Sequence, residues 1–191
     1  VCQRTGYVLT LVDSQRELPA LIDSPLGEGT ARRFIYPLTA SWYGSATIPG
    51  MIQALADGAV MHVLYRQDAR DTHNVGTVCL IGTTGIRAGF WYSQPQQYFR
   101  YGGGSSAARN INLDNWSLLS VGAVDGVARC YINGIQSGLD FDAGTDFSIS
   151  TTWVGNAING DIAQIGVEPV SSLEDMDAKA LHAAKMCKVA P

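Results

Sequence analysis

The stretch Trp116 to Gly134, WSLLSVGAVDGVARCYING, constrains the fold most. Two β-rich runs, Trp116 to Val124 and Val127 to Ile132, are separated only by Asp125-Gly126, and Asn133-Gly134 closes the far end. Asp-Gly and Asn-Gly between such runs predict two-residue hairpin turns, because a type I′ turn needs positive φ at both central residues. On the second strand Cys130 and Ile132 share one face, and Arg129 and Tyr131 share the other. The simplest assignment puts Cys130 and Ile132 in the core. The hairpin is scaffold, and nothing in it marks a reaction.

The rest of the chain reads in the same way. Strands are predicted at Tyr7 to Val12, Val60 to Tyr65, Val75 to Gly82, Ile86 to Tyr92, Phe147 to Ser150, Thr152 to Gly155 and Asp161 to Val167. In the last of these, Ile162, Gln164 and Gly166 face one way and Asp161, Ala163, Ile165 and Val167 the other. Residues 13–33 read as loop, with a short strand at Ala20 to Ile22, because Pro19, Pro25, Gly27 and Gly29 punctuate them. Arg32-Arg33 reads as a solvated edge. Phe34 to Ser45 is aromatic and β-rich, and Pro37 points to an edge position or a bulge there. Ile48 to Ala56 carries no clear signal. Arg66 to Asn74 is a polar loop, and Ser93 to Asn110 reads as a long irregular segment. Only the tail, about 171–186, has a helical pattern. Ser171 and Glu174 fit a capping box. Leu173, Met176, Ala180, Leu181 and Ala184 make an apolar stripe. Acidic residues lead and lysines follow, as the helix dipole favours.

Length and charge narrow the classes. One domain over residues 1–191 is expected, since all-β sandwiches often reach this size. The balance of 13 basic to 17 acidic residues argues against a nucleic-acid partner, which would call for a basic face. No apolar run is long enough for a membrane span, so membrane insertion is not expected. The first ten residues, VCQRTGYVLT, lack the pattern of a signal peptide. The four cysteines, Cys2, Cys79, Cys130 and Cys187, show no C-x-x-C spacing, which disfavours zinc. Cys79 and Cys130 read as small buried residues, and a Cys2–Cys187 bridge is one pairing open to the chain.

From Trp116 onward the order of elements resembles the laminin-G-like, concanavalin A-like family. The residues that carry the resemblance are Trp116, Asp125-Gly126, Tyr131-Ile132-Asn133-Gly134, Val154-Gly155, Asn159-Gly160 and Asp161 to Val167, followed by a short helix. The resemblance implies an all-β, two-sheet antiparallel jelly-roll sandwich with a short C-terminal helix. It does not choose an activity, because lectins, adhesion domains, glycosidases and viral surface proteins share this fold.

Catalysis is not expected. Glycoside hydrolysis needs two carboxylates flanking one bond. The alternating Glu-x-Asp-x-x-Glu strand by which glycosidases of this fold resemble one another is missing. His62, His73 and His182 are scattered, no Gly-x-Ser-x-Gly elbow occurs, and Gly102-Gly103-Gly104 precedes no helix. Asp68 with Asp71, or Asp140, Asp142 and Asp146, offer oxygens of the kind calcium takes. Asp also favours turns for its own reasons, and no cofactor or metal is predicted.

The most suggestive stretch is Phe90 to Tyr101, FWYSQPQQYFRY. Alternation must send part of it into the core. The candidate partner-binding residues are Trp91, Tyr92, Tyr98, Arg100 and Tyr101, residue types enriched where proteins meet partners or stack on sugar rings. The sequence-based expectation is therefore a non-catalytic structural or binding protein. It assembles on, or decorates, a larger particle such as a phage virion surface, with protein partners and as a homo-oligomer. The alternative is a carbohydrate-binding module of a secreted or cell-surface protein, located outside the cell.

Overall fold

A computed structural model describes residues 10–11, 19–35, 42–44, 51–68, 75–83, 86–93, 96–106, 108–144, 152–156 and 158–190. The early elements are β1 (Thr10–Leu11), β2 (Ala20–Ser24), β3 (Gly27–Ile35), β4 (Trp42–Gly44), the helix α1 (Met51–Asp57) and β5 (Ala59–Gln67). Next come β6 (Val75–Thr83), β7 (Ile86–Ser93), β8 (Gln96–Tyr101), β9 (Gly104–Ser105) and β10 (Arg109–Asn110). The last are β11 (Ser117–Val124), β12 (Val127–Ile132), β13 (Ile135–Gln136), β14 (Phe141–Asp142), β15 (Thr152–Asn156), β16 (Asn159–Pro169) and α2 (Leu173–Met186). They form two antiparallel sheets. One runs β1-β4-β15-β6-β7-β8-β10 with β9 on β8; the other runs β13-β12-β11-β5-β16-β3-β2 with β14 on β12. The arrangement is a β-sandwich with a short C-terminal helix.

The predicted hairpin forms as the turn chemistry requires. Asp125 and Gly126 have φ of 53° and 79°, and Val124 stands opposite Val127. Asn133 and Gly134 repeat the geometry at 54° and 82°, which starts β13. Asn133 also clamps the start of β11: its Oδ1 accepts from Leu118 N–H at 2.9 Å, and its own N–H donates to Leu118 C=O at 2.9 Å.

Every residue of β11 is buried, and β5 is buried except at Arg66. One face explains half of this. Met61, Val63, Tyr65, Leu119, Val121 and Cys130 pack against Val78, Cys79, Phe90 and Phe99 of the facing sheet. The opposite face is covered by α2. Val60, Val124 and Tyr131 pack on Met176 and Ala180, and Leu64 and Leu118 on Ala184 and Cys187. Gly122 lets the helix approach, since a Cβ there would fall 2.4 Å from Met176 Sδ. Tyr131 is therefore as buried as its neighbour Cys130, at 1% exposure each. Alternation alone separates the two faces, but it does not show that both are covered.

Several expectations need correction. The cap of α2 is Ser172, whose side chain accepts from Asp175 N–H. Asp175 reaches back to Ser171 N–H at 2.9 Å, so the capping box sits one residue later than predicted. Residues 51–57 form a second helix, too short for its periodicity to register. Residues 20–35 are a hairpin with Gly27 and Gly29 inside β3, not a loop. Within 93–110 lie β8, β9 and β10. In β16 a bulge between Ile162 and Gln164 resets the alternation, so Ile162, Ile165 and Val167 all reach the inter-sheet core. The predicted strands at 7–9 and 147–150, the residue Pro37 and the first half of the Cys2–Cys187 pairing lie outside the described residues. Cys79, Cys130 and Cys187 are free buried thiols.

Because Met176 fills the seam over Gly122, Met176→Ala is expected to lower unfolding stability by about 2–5 kcal/mol, read from urea denaturation. A loss under about 1 kcal/mol would show that α2 adds little to the core beneath it.

Candidate functional site

The aromatic stretch becomes the antiparallel pair β7–β8, and its register sorts the residues. Phe90 stands opposite Phe99 and Trp91 opposite Tyr98. Phe90 and Phe99 turn inward, fully buried, with rings edge to face at 5.5 Å. Trp91 and Tyr98 turn outward and are half-buried, their rings stacked at 4.5 Å and 16°. Arg100 lies on the same outer face with its guanidinium 5.5 Å from the Trp91 ring centre, a cation–π distance. Opposite Arg100 stands Gly89, which brings no side chain to compete for that space. Three of the five candidates, Trp91, Tyr98 and Arg100, thus form one ordered cluster on a sheet face.

The other two candidates do not join it. Tyr101 points into the core at 2% exposure. Its hydroxyl donates to Leu55 C=O at 2.7 Å and accepts from Ala59 N–H at 3.1 Å, tying β8 to α1 and to the start of β5. Burial pushes its phenol well above the ordinary range. Tyr92 lies in β7 opposite Gln97, and its side chain is outside those described.

A second site was not visible in the sequence. Arg33 of β3, Asp161 of β16 and Arg66 of β5 are direct cross-strand neighbours in one row. Asp161 is 3% exposed and takes Arg33 through Nε at 2.8 Å and Nη2 at 3.2 Å. It takes Arg66 through Nε at 2.7 Å and Nη2 at 2.6 Å. Arg66 also lies over the Trp116 ring at 5.0 Å. Beside this row opens a cleft of about 340 Å³, whose polar lining adds Asp68, Asp114 and Asn159. Arg33 keeps the expected exposure, with 45% of its side chain open, and is also an ion-paired wall of the cleft. Partners 128 residues apart leave no local signal that could have found the pair.

Of the three carboxylates that line the cleft, Asp68, Asp114 and Asp161, the last already accepts from two guanidinium groups. Asp140 is bound by Arg129 at 2.9 Å, and Asp177 accepts from Tyr131 at 2.6 Å and from Arg129 at 3.0 Å. No group of three metal-ligating side chains occurs among the described residues, and Asp71 and Asp146 lie outside them. His62 and Ser120 face each other on β5 and β11, with Nδ1 2.8 Å from Oγ. This pairing has the distance of a nucleophile and its base. It is sealed beneath α2, with exposures of 5% and 0%, so no substrate reaches it.

No family model matches the chain, and no curated protein does. Solved structures do. The binding domain of botulinum neurotoxin DC, in complex with rat synaptotagmin II, matches with a TM-score of 0.67 at 11% identity, over 95% of this chain and 48% of its own. The receptor-binding domain of botulinum neurotoxin D gives 0.58 at 10%, over 92% and 48%. Trypanosoma rangeli sialidase in complex with 2,3-difluorosialic acid gives 0.57 at 12%, over 82% and 28%. The chain thus spans about half of the toxin domains and under a third of the sialidase. At such identities the likeness shows the fold, a β-sandwich.

The sealed histidine makes a pH prediction. Burial lowers the His62 pKa to about 4, against about 6.5 in an unfolded chain. As pH falls the unfolded chain takes the proton first. The contribution of the neutral ring is fully present above about pH 6.5 and is lost as pH drops toward 4. Urea midpoints measured across that window should fall more steeply for the wild type than for His62→Gln, by on the order of a few kcal/mol at the acid end. Equal slopes would show that His62 is not buried neutral.

Proposed function

We propose that this chain is a non-catalytic binding module of the laminin-G-like, concanavalin A-like kind, serving as an assembly or decoration component of a larger particle such as a phage virion surface. The observation that carries the reading is the Trp91–Tyr98–Arg100 cluster. Two stacked rings and a guanidinium stand side by side on the outer face of a sheet, already ordered by strand pairing. Trp, Tyr and Arg are the residues that most often dominate protein contacts, and a pre-ordered set loses little entropy on binding. Two of the neighbours in fold are toxin binding domains, one of them solved with a protein bound. That favours a protein partner for this fold as well. The reading places the protein on a particle surface.

A second reading, saccharide binding by a secreted or cell-surface module, is favoured by the rim cleft. There arginine donors stand beside the acceptors Asp68, Asp114 and Asn159, with Trp116 under Arg66. Sugar hydroxyls need donors and acceptors together.

Density-gradient centrifugation of particles from cultures producing the protein tests the first reading. The wild-type chain should co-sediment with particles. The Trp91→Ala, Tyr98→Ala double variant should be retained at least about tenfold less. A wild-type chain that stays in the soluble fraction, together with glycan-array binding lost in Arg66→Ala, would favour the second reading. In either case no hydrolysis of β-glucans is expected, and turnover abolished by changing one carboxylate would overturn the non-catalytic assignment.

A further inference from the structure

The hairpin β2–β3 extends beyond its sheet. β16 pairs with β3 only at Arg32 to Ile35, whereas β2 pairs with β3 from Arg33 out to Gly27. No residue from 20 to 30 is buried. The hairpin is thus a two-stranded arm with solvent on both faces, a form that is marginal in water by itself. Its tip is nonetheless clasped by its own side chains. Ser24 Oγ and Thr30 Oγ1 share a hydrogen bond of 2.7 Å, Leu26 N–H donates to Ser24 Oγ at 3.1 Å, and Gly29 N–H donates to Asp23 Oδ1 at 3.0 Å. Leu21 at 58% exposure and Leu26 at 36% are held out to solvent, with Asp23 and Glu28 exposed beside them.

The opposite edge of the same sheet carries the complementary features. β13 ends the strand order there, with Ile135 at 55% exposure. Leu181 of α2, at 36%, sits over the adjoining Gly134. Lys185 and Lys188, both exposed, follow at the end of the helix. The arm sets Asp23 and Glu28 beside its leucines, and the far edge sets Lys185 and Lys188 beside Ile135 and Leu181, with Asp140, neutralised by Arg129, near Gln136. Neither exposed leucine of the arm joins a hydrophobic cluster among the described residues.

We propose that the β2–β3 arm of one copy docks on the β13–α2 edge of a second copy, leucine against Ile135 and Leu181, and Asp23 and Glu28 against Lys185 and Lys188. The two surfaces differ and lie at opposite edges of one sheet, so the contact is heterologous. It repeats head to tail and closes into a ring or runs on as a filament. This goes beyond the binding reading above and uses neither the Trp91–Tyr98 face nor the rim cleft, so each can fail without the other.

Size-exclusion chromatography with light scattering, on the wild type and on Leu21→Asp and Ile135→Asp, tests the proposal. The wild type should form species larger than a monomer that weaken as salt is raised. Each variant alone should be monomeric with an unchanged melting temperature, since both side chains are exposed. An equimolar mixture of the two variants should form one-to-one dimers and nothing larger, because Leu21→Asp keeps an intact β13–α2 edge and Ile135→Asp keeps an intact arm. Should either aspartate variant misfold, Glu28→Lys reads the same contact through charge and should also dissociate the assembly. A wild type that stays monomeric as concentration is raised, an Ile135→Asp protein that assembles like the wild type, or a mixture that remains monomeric would each overturn the proposal.

Discussion

The pairing of β5 with β11 is the contact on which the rest of the structure depends. It runs in register from Ala59 opposite Ala123 to Tyr65 opposite Ser117. Both strands are covered on both faces, by the second sheet on one side and by α2 on the other. Strands buried on both faces read as continuous apolar runs, which is how AVMHVL and SLLSVGAV read. The pairing fixes β12 and the Asn133-Gly134 turn on one side and β16 on the other. It also gives α2 its seat. A 14-residue helix is marginal alone, and most of its stability must come from the face it buries.

Polar groups inside this arrangement take one partner from a neighbouring strand, and His62, Gln67 and Gln97 each keep a further buried atom unpaired among the described residues. His62 Nδ1 and Ser120 Oγ pair across β5 and β11, which leaves His62 Nε2 buried without a partner there. Gln67 and Gln97, both at 0% exposure, join the two sheets through one hydrogen bond of 2.8 Å. Asp161 is shared between Arg33 and Arg66 on the strands to either side. A buried carboxylate would be costly alone, and two guanidinium groups offset that cost. The same row then opens at the rim as a cleft. A structural need, the neutralisation of Asp161, thereby places two arginines at a surface where a ligand can meet them.

The sequence carried the local parts of this picture. Both type I′ turns, the strands around them and the C-terminal helix follow from residue types at fixed spacing. So does the inward turn of Phe90 and Phe99, once β7 and β8 are taken as strands. What it did not carry depends on contacts between distant elements. Tyr131 is buried because α2 returns over it from some 45 residues away, through the hydrogen bond to Asp177 at a separation of 46. Arg33 reads as a solvated residue, which it is, but its ion pair is invisible until Asp161 is placed beside it. Tyr101 has the same composition signal as Tyr98 and the opposite role, and only strand parity, set by a register that begins at Gln96, separates them. The β16 bulge is the sharpest case. One extra residue at Ala163 exchanges the faces of everything after it, and no side chain announces it.

The distribution of covered and open surface sets where this protein can meet others. The sheet that contains β5 and β11 has α2 seated over those strands and β12, while its β2–β3 arm and the rim cleft between β3, β16 and β5 stay open. The sheet that contains β7 and β8 keeps the Trp91–Tyr98–Arg100 part of its outer face half-buried, and no helix is seated there among the described residues. A sandwich without α2 would have two comparable faces and no reason to favour one. With α2 in place the two sheets differ: one has β5, β11 and β12 covered on both faces, and the other turns its aromatic cluster outward. The helix that looks like a terminal appendage in the sequence therefore decides which part of the molecule's sheet surface is covered.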